Sequence, residues 1–259
     1  MLKLSVVIPC FNHGKYINEA IQSVLAYPGH KDLEIIVIND GSTDPFTIEV
    51  LNKIDHPNIK VINQVNQGLG KSRNNGIKLA SADIIFVLDS DNRIDPRFIP
   101  EALNLFNNDK DLGVVYCDSI IFDDTKSIKR KIQKFDPRVL LMKNYIDACA
   151  FFRKSIWTQL GGYDENMPYM GLEDWDFWIR NIGIKTKFYH LKQHWFYYRD
   201  TPNSMAKSTT DQKYTILYEY ILNKNSAIYA RYMGQIGYYL TYSNRKPLLF
   251  ALKKLLNRF

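Results

Sequence analysis

Two carboxylates one residue apart, Asp89 and Asp91 around Ser90, follow the apolar run Asp83 to Leu88 (DIIFVL). On a turn at a strand end they suit a hard divalent cation, Mg²⁺ or Mn²⁺, bridged to a diphosphate, because such ions take oxygen ligands. A bare Asp-x-Asp also caps ordinary turns, so the triplet gains weight only from its neighbours. Asp40 closes a second apolar run, LEIIVIN, and opens the turn signal Asp40-Gly41-Ser42-Thr43-Asp44. There a carboxylate is placed to accept from a base N–H or a ribose hydroxyl, although the same residues also read as a turn into a helix cap. Asn66-Gln67-Gly68 and Lys71-x-Arg73-Asn74 set amides and cations near a helix start, where phosphates are well received; taken alone, they read as a solvated helix face. The other acidic group is Gly171-Leu172-Glu173-Asp174-Trp175-Asp176. Three acids at a helix start answer to the helix dipole and to capping, and Asp176 with Arg180 to a pair on the helix surface. A carboxylate beside Trp175 also suits a general base toward a hydroxyl.

The elements that must hold these groups are legible from apolar spacing. Leu4 to Pro9, Leu33 to Asn39, Ile59 to Asn63 and Asp83 to Leu88 read as buried strands. Lys15 to Ala26, with Ile17, Ala20, Ile21, Val24 and Leu25 on one face, and Gly70 to Ala80 read as helices between them. Alternating strands and helices predict an α/β fold with a doubly wound, mostly parallel sheet. Ligands of such sheets bind at the carboxyl ends of strands, and three strands here end in polar chemistry: Pro9-Cys10-Phe11-Asn12, Asp40-Gly41-Ser42 and Asp89-Ser90-Asp91. After residue 113 the pattern changes. Val114 to Tyr116 and Ile120 to Phe122 read as two strands, Ser155 to Leu160 and Trp175 to Asn181 as helices. Lys187 to Tyr198 reads as an aromatic extended stretch, Lys207 to Ile221 as a helix, and Pro247 as the start of a last amphipathic helix.

At 259 residues, with 46% hydrophobic and 24% charged, the chain suits one large domain with an appended tail, and disorder is excluded. Three dispersed cysteines, Cys10, Cys117 and Cys149, suggest neither a disulfide frame nor a zinc knuckle and fit the cytoplasm. The opening MLKLSVVIPCFN is too soon interrupted for a signal peptide, and no run of about 18 apolar residues spans a membrane. The net charge of +7 resides in residues 220–259, which hold seven basic and no acidic residues; the first 219 are formally balanced. That asymmetry argues against a nucleic-acid enzyme, which carries positive charge across its working face.

Eight segments in order resemble glycosyltransferase family 2, the inverting family with the GT-A fold. They are SVVIPCFN (Ser5 to Asn12), NDGSTD (Asn39 to Asp44), NQG (Asn66 to Gly68), RNNG (Arg73 to Gly76), DSD (Asp89 to Asp91), GGYDE (Gly161 to Glu165), GLEDWDFWIR (Gly171 to Arg180) and YRDTPNSM (Tyr198 to Met205). The resemblance implies a nucleotide-sugar-binding half over 1–112, an acceptor half over 113–219 and a basic helical tail over 220–259. It implies that Pro9, Phe11, Asn12, Asp40 and Arg73 line the nucleotide pocket, with Asn66, Gly68 and Ser90 beside them. Asp40 would meet the base, most often uracil. Asp91, with Asp89, would hold Mn²⁺ or Mg²⁺ on the donor diphosphate, and Arg199 would lie near that diphosphate. Asp174 would deprotonate the acceptor hydroxyl, with Glu173 orienting it. One departure is Thr201, where relatives often carry a His; His190 and His194 are set aside as structural.

The implied activity is inverting transfer of a sugar, from a UDP-sugar, to a saccharide or lipid-linked acceptor in surface-glycan synthesis. A dehydrogenase is set aside, since the first strand's turn, PCFNHGK, has one glycine. A sugar-phosphate nucleotidyltransferase and a non-catalytic nucleotide-sugar-binding module are the alternatives. The basic residues and apolar stripe of 247–259 fit the inner face of an anionic membrane, or packing on the protein's own core or a second subunit.

Overall fold

The computed structural model describes residues 3–201, 207 and 209–247. The first half alternates as its pattern requires: β1 (Leu4–Cys10), α1 (Gly14–Leu25), β2 (Leu33–Asp40), α2 (Pro45–Asn52), β3 (Ile59–Gln64), α3 (Leu69–Leu79) and β4 (Ile84–Val87). β1 and β2 are buried along their whole length because both faces of a central parallel sheet are covered. Alternation divides their side chains between two layers. Leu4, Val6 and Ile8 pack with Ile17, Ile21 and Val24 of α1, whereas Val7, Ile36 and Ile38 pack with Ile77 of α3.

The second half runs β5 (Arg93–Ile94), α4 (Phe98–Asn108), β6 (Leu112–Phe122), β7 (Ser127–Arg130), α5 (Pro137–Met142), β8 (Phe151–Arg153), α6 (Lys154–Leu160), α7 (Glu173–Gly183), β9 (Lys187–Arg199), α8 (Asp211–Lys224) and α9 (Ser226–Arg245). One mixed sheet has the order β3-β2-β1-β4-β8-β6-β9-β5, with β7 added on β6. β3, β2, β1 and β4 are parallel; β8 runs against both β4 and β6, and β6 is parallel to β9. The parallel sheet of the sequence reading is therefore the N-terminal half, and the antiparallel additions belong to the C-terminal one.

Several local expectations are corrected. Val114–Tyr116 and Ile120–Phe122 are parts of one 11-residue strand, which the polar Cys117-Asp118-Ser119 disguises. The ladder to β9 shifts register on either side of Asp118, whose carboxylate accepts from Ile132 N at 2.7 Å and pairs with His190 Nε2 at 2.8 Å. Asp176 and Arg180 do pair, at 2.8 Å, but not on a surface: Asp176 is fully buried. Lys224 Nζ at 2.9 Å and Asn225 Nδ2 at 2.9 Å complete its partners, tying the end of α8 to α7. α8 begins at a Thr210 cap rather than at Lys207, and residues 219 and 220 both lie within it. α9 follows, within the segment read as a basic helical tail, and residues 248–259 of the last amphipathic stretch lie outside the described residues.

Removing the Asp176 carboxylate takes the buried ion pair from Arg180, which keeps only the Leu160 and Gly162 carbonyls, and leaves Lys224 on Asp164 alone. Asp176→Ala is expected to cost about 3–5 kcal/mol of stability, read as a lower urea midpoint; a midpoint within error of the parent would show that α8 is not anchored by this charge.

Candidate active site

The carboxyl ends of β1, β2 and β4 open on a single cleft of about 730 Å³. Pro9, Phe11, Asp40, Asn66, Gly68, Asp89, Ser90 and Asp91 line it. Tyr169, Met170, Tyr198, Thr201 and Lys213 complete the lining. The three polar strand ends thus do converge, as strand-end geometry in a parallel sheet demands.

Backbone constraints build the loops after β1 and β2. Asn12 adopts φ 56°, and its Oδ1 accepts from Thr43 N at 2.8 Å and Asp44 N at 2.9 Å. It therefore ties the β1 loop to the β2 loop instead of lining the cleft, and leaves Phe11 44% exposed on the rim. Gly41 is required beneath: at φ 70°, a Cβ there would lie 2.6 Å from Asn66 N. Buried Asp40 accepts from Gln64 Nε2 and Gln67 N, each at 2.8 Å on Oδ1, and from Gly68 N at 2.9 Å on Oδ2. Its carboxylate fixes the turn that starts α3. At the start of α3, Met170 Sδ takes the Leu69 N–H at 3.2 Å.

Arg73, expected on the pocket wall, lies beneath it, 1% exposed. Its guanidinium donates to Glu173 Oε1 at 2.5 Å and to Asp89 Oδ1 at 2.8 Å. One buried cation thus joins the Asp-Ser-Asp turn to the start of α7. Glu173 Oε2 accepts from Gly171 N at 2.8 Å, which fixes the loop that enters the helix. Asp174 follows directly; it stands behind the cleft wall, with Oδ2 accepting from Asn144 Nδ2 at 3.0 Å. Burial, then the Glu173 charge, holds its carboxyl well above the ordinary carboxylate range.

Arg199 supports the turn from outside the cleft. Its Nε donates to the Asp91 carbonyl at 2.9 Å, its guanidinium pairs with Glu19, and it packs over the rings of Tyr16 and Phe122. Ser90 Oγ meets His13 Nδ1 at 2.8 Å, and burial lowers the proton affinity of that imidazole. The Asp91 carboxyl is pushed up to about 7 by burial and the nearby Asp89 charge. A third carboxylate, Asp147, is raised for the same two reasons. Ligand atoms of Asp89, Asp147 and Cys149 lie within 4.8 Å of one another. The Cys149 thiol is held protonated by burial, so the donors that suit a hard cation here are carboxylate oxygens. Among the described residues neither Asp91 nor Asp147 is in direct contact with a cation, although the Arg199 and Arg130 charges respectively oppose the rise. Oxygen donors in excess of protein cations are what a divalent ion requires, and the site fits one.

Asp147 and Asn144 escaped the sequence reading because no recognised motif spans Lys143 to Ala150; the one signal was a lone Asp inside the apolar run IDACAFF. His190 and His194 flank Asp118, at 2.8 and 4.0 Å, rather than the acidic turn.

The family model described as glycosyl transferase family 2 matches residues 5–161. An uncharacterized glycosyltransferase of Rickettsia typhi is 30% identical over 199 residues, covering 72% of this chain and 60% of the relative. Poly-beta-1,6-N-acetyl-D-glucosamine synthase of Staphylococcus aureus is 29% identical over 219 residues, covering 79% of this chain and 52% of that protein. The chain thus spans about half the length of the curated relatives it matches, 40% in the case of a Nostoc glycosyltransferase. Among solved structures, S. aureus TarS 1-349 in complex with UDP-GlcNAc superposes with a TM-score of 0.68 at 19% identity, over 90% of this chain and 72% of that one. That likeness carries the GT-A-like fold, and the family model covers more than half of the sequence. The chain belongs to glycosyl transferase family 2.

Proposed function

We propose that this protein transfers a sugar from a nucleotide-sugar, a UDP-sugar, to a hydroxyl of a saccharide or lipid-linked acceptor, with inversion at the anomeric carbon. The observation that carries the reading is the Arg73 bridge, which holds the acidic turn and the start of α7 on one guanidinium. Donor and acceptor chemistry must meet over a single sugar, and this bridge keeps the two carboxylate groups adjacent. TarS structures with UDP-GlcNAc and with UDP support a uridine nucleotide as donor group, and a relative named a poly-N-acetylglucosamine synthase supports a growing glycan as acceptor.

In this reading Asp40, Pro9, Phe11, Asn66 and Gly68 receive the base and ribose, and Arg73 aligns Asp89 and Glu173. Asn12, Ser90 and Arg199 keep the surrounding loops in place. Asp91 and Asp89, with Asp147 beside them, would hold Mn²⁺ or Mg²⁺, which when bound neutralises charge on a leaving diphosphate. Asp174 takes the proton of the acceptor hydroxyl, and Glu173 fixes its place at the start of α7. The low-dielectric surroundings that raise its proton affinity also make it a stronger base. Residues 247–259 would bring a lipid-linked acceptor near through contact with an anionic membrane face.

Asp174→Asn removes the proton acceptor at nearly constant shape. Turnover should fall by about 10²–10⁴-fold, while titration calorimetry with UDP returns the parent affinity; unreduced turnover would remove Asp174 from the mechanism. The working form of Asp174 is the ionised one and its proton affinity is raised, so kcat/KM should decline on acidification well before the ordinary carboxylate range is reached. A profile flat from about pH 5 to pH 9 would contradict that assignment. Mn²⁺ at about 100 times its dissociation constant should stabilise the fold by about 2.7 kcal/mol, seen as a thermal shift. The shift should vanish in Asp91→Asn; its persistence there would place the ion elsewhere.

A further inference from the structure

The segment after α5 reaches Asp174 with a single side chain. Among the described residues, Asn144 alone bonds that carboxylate through a side chain, its Nδ2 donating to Oδ2 at 3.0 Å. The other carboxylate oxygen, Oδ1, takes the Trp175 backbone N–H at 2.7 Å. Two indoles of α7 fix the segment on either side of Asn144. Trp175 Nε1 donates to the Leu140 carbonyl at 2.6 Å, and Trp178 Nε1 to the Ile146 carbonyl at 3.1 Å. Both tryptophans are buried, so Asn144 is delivered firmly to the first turn of the helix that carries Asp174.

An asparagine just beyond a helix end ordinarily serves the turn, its Oδ1 accepting a nearby backbone N–H. Asn144 does not. Its Oδ1 is buried without a hydrogen-bond partner among the described residues, and its Nδ2 is given to Asp174. A buried carbonyl left unpaired is costly, and a leucine of similar size would avoid the cost. What the amide supplies in return is an N–H aimed at a carboxylate. The charges acting on that carboxylate come from three places. Glu173 on α7 and Asp147, in the same segment as Asn144, reinforce burial in tightening its hold on a proton, and Arg73 on α3 opposes them. Tyr163, ahead of α7, also feels the Asp174 charge, but burial keeps its hydroxyl neutral. The Asn144 N–H acts in the same direction as Arg73 and favours the ionised carboxylate.

We propose that Asn144 is a positioning residue for the transfer reaction, its amide N–H holding the Asp174 carboxylate in one orientation for the hydroxyl proton it accepts. This rests on the reading of Asp174 as the base and adds a residue from outside α7 that sets it. Glu173 fixes where the helix starts. Asn144 fixes how the carboxylate is turned, since Oδ2 cannot rotate away without giving up the amide. A reacting group already held in its working geometry spends less of the barrier on reaching it.

The test compares the parent with Asn144→Leu, which removes the donor, and Asn144→Asp, which puts a like charge in its place. Two readouts are taken. The first needs no substrate: the Asp174 carboxyl carbon, identified in carbon-13 aspartate-labelled protein by the signal missing from Asp174→Asn, is titrated by NMR. Without the donor the carboxyl holds its proton more tightly, so its titration should move up by about one pH unit or more in Asn144→Leu, and at least as far in Asn144→Asp. The second is UDP release from UDP-GlcNAc and UDP-glucose with water as acceptor, at constant Mn²⁺. The acid limb of kcat/KM should move up by the same amount, with donor KM and calorimetric UDP affinity unchanged. In the Asp174→Asn background, Asn144→Leu should cost nothing further. A merely structural role would lower turnover evenly across pH and leave both limb and titration in place, and that result in either variant overturns the proposal. Should the titration move while the limb stays, or should the parent release no UDP, the base assignment or the transfer reading fails instead and takes the positioning role with it, so the failures are distinguishable.

Discussion

The guanidinium of Arg73 is the interaction on which the site depends. Asp89, Asp91, Asp147, Glu173 and Asp174 come from three separate stretches of chain, and their like charges oppose one another's ionisation. Arg73 is buried among them, bonded to Asp89 and Glu173, and those charges hold its proton tightly despite the cost of burial. Breaking a buried pair from one side typically costs about 3–5 kcal/mol, so both the turn after β4 and the start of α7 are bound to α3. Arg199 and Arg130 offset the rise at Asp91 and Asp147 only in part, so these acids outnumber the cations that pair with them directly.

Around this centre the loops are held by side chains bonded to neighbouring loops. Asn12 spends its carbonyl oxygen on the Thr43 and Asp44 amides, and Asp40 spends both oxygens on the Gln64 side chain and the Gln67 and Gly68 amides. Arg199 is anchored to Glu19 and to the Asp91 carbonyl. Residues that a motif marks as ligand-binding are thus in several cases the scaffold of the loop that binds. A carboxylate that accepts two backbone N–H groups fixes a turn more firmly than one waiting in solvent, and a preorganised turn loses less entropy on meeting its ligand.

The parallel half of the fold was legible from sequence because its signals are local. Continuous β-branched runs, amphipathic spacing in Gly14–Leu25 and polar clusters after β1, β2 and β4 each lie within a few residues, and each landed within one or two residues of its element. The second half was harder for a physical reason. β6 carries a polar Cys117-Asp118-Ser119 that only a partner strand and the segment after β7 make tolerable, and Asp176 needs Lys224 and Asn225, 48 and 49 residues away. α9, a 20-residue helix, has weak amphipathy and two glycines, Gly234 and Gly237, that meet nothing nearby, so no stripe announced it.

The same distinction separates the site residues that sequence reading found from those it missed. Asp89, Asp91, Glu173 and Asp174 sit in runs whose composition is unusual in itself, so they could be singled out without their partners. Asp147 and Asn144 sit in an ordinary-looking stretch and matter only because folding brings them beside Asp89 and Asp174. The two histidines present the reverse case: a metal-ligating residue type in the right region, but claimed by Asp118, with His190 stacked on Tyr116. Residue type therefore nominates a group for chemistry, and the charges that folding places against it decide whether that chemistry is available. Here Asp118 takes both histidines, while Asp91 and Asp147 have no directly paired cation among the described residues, so of the two clusters the acidic turn keeps the freer donors.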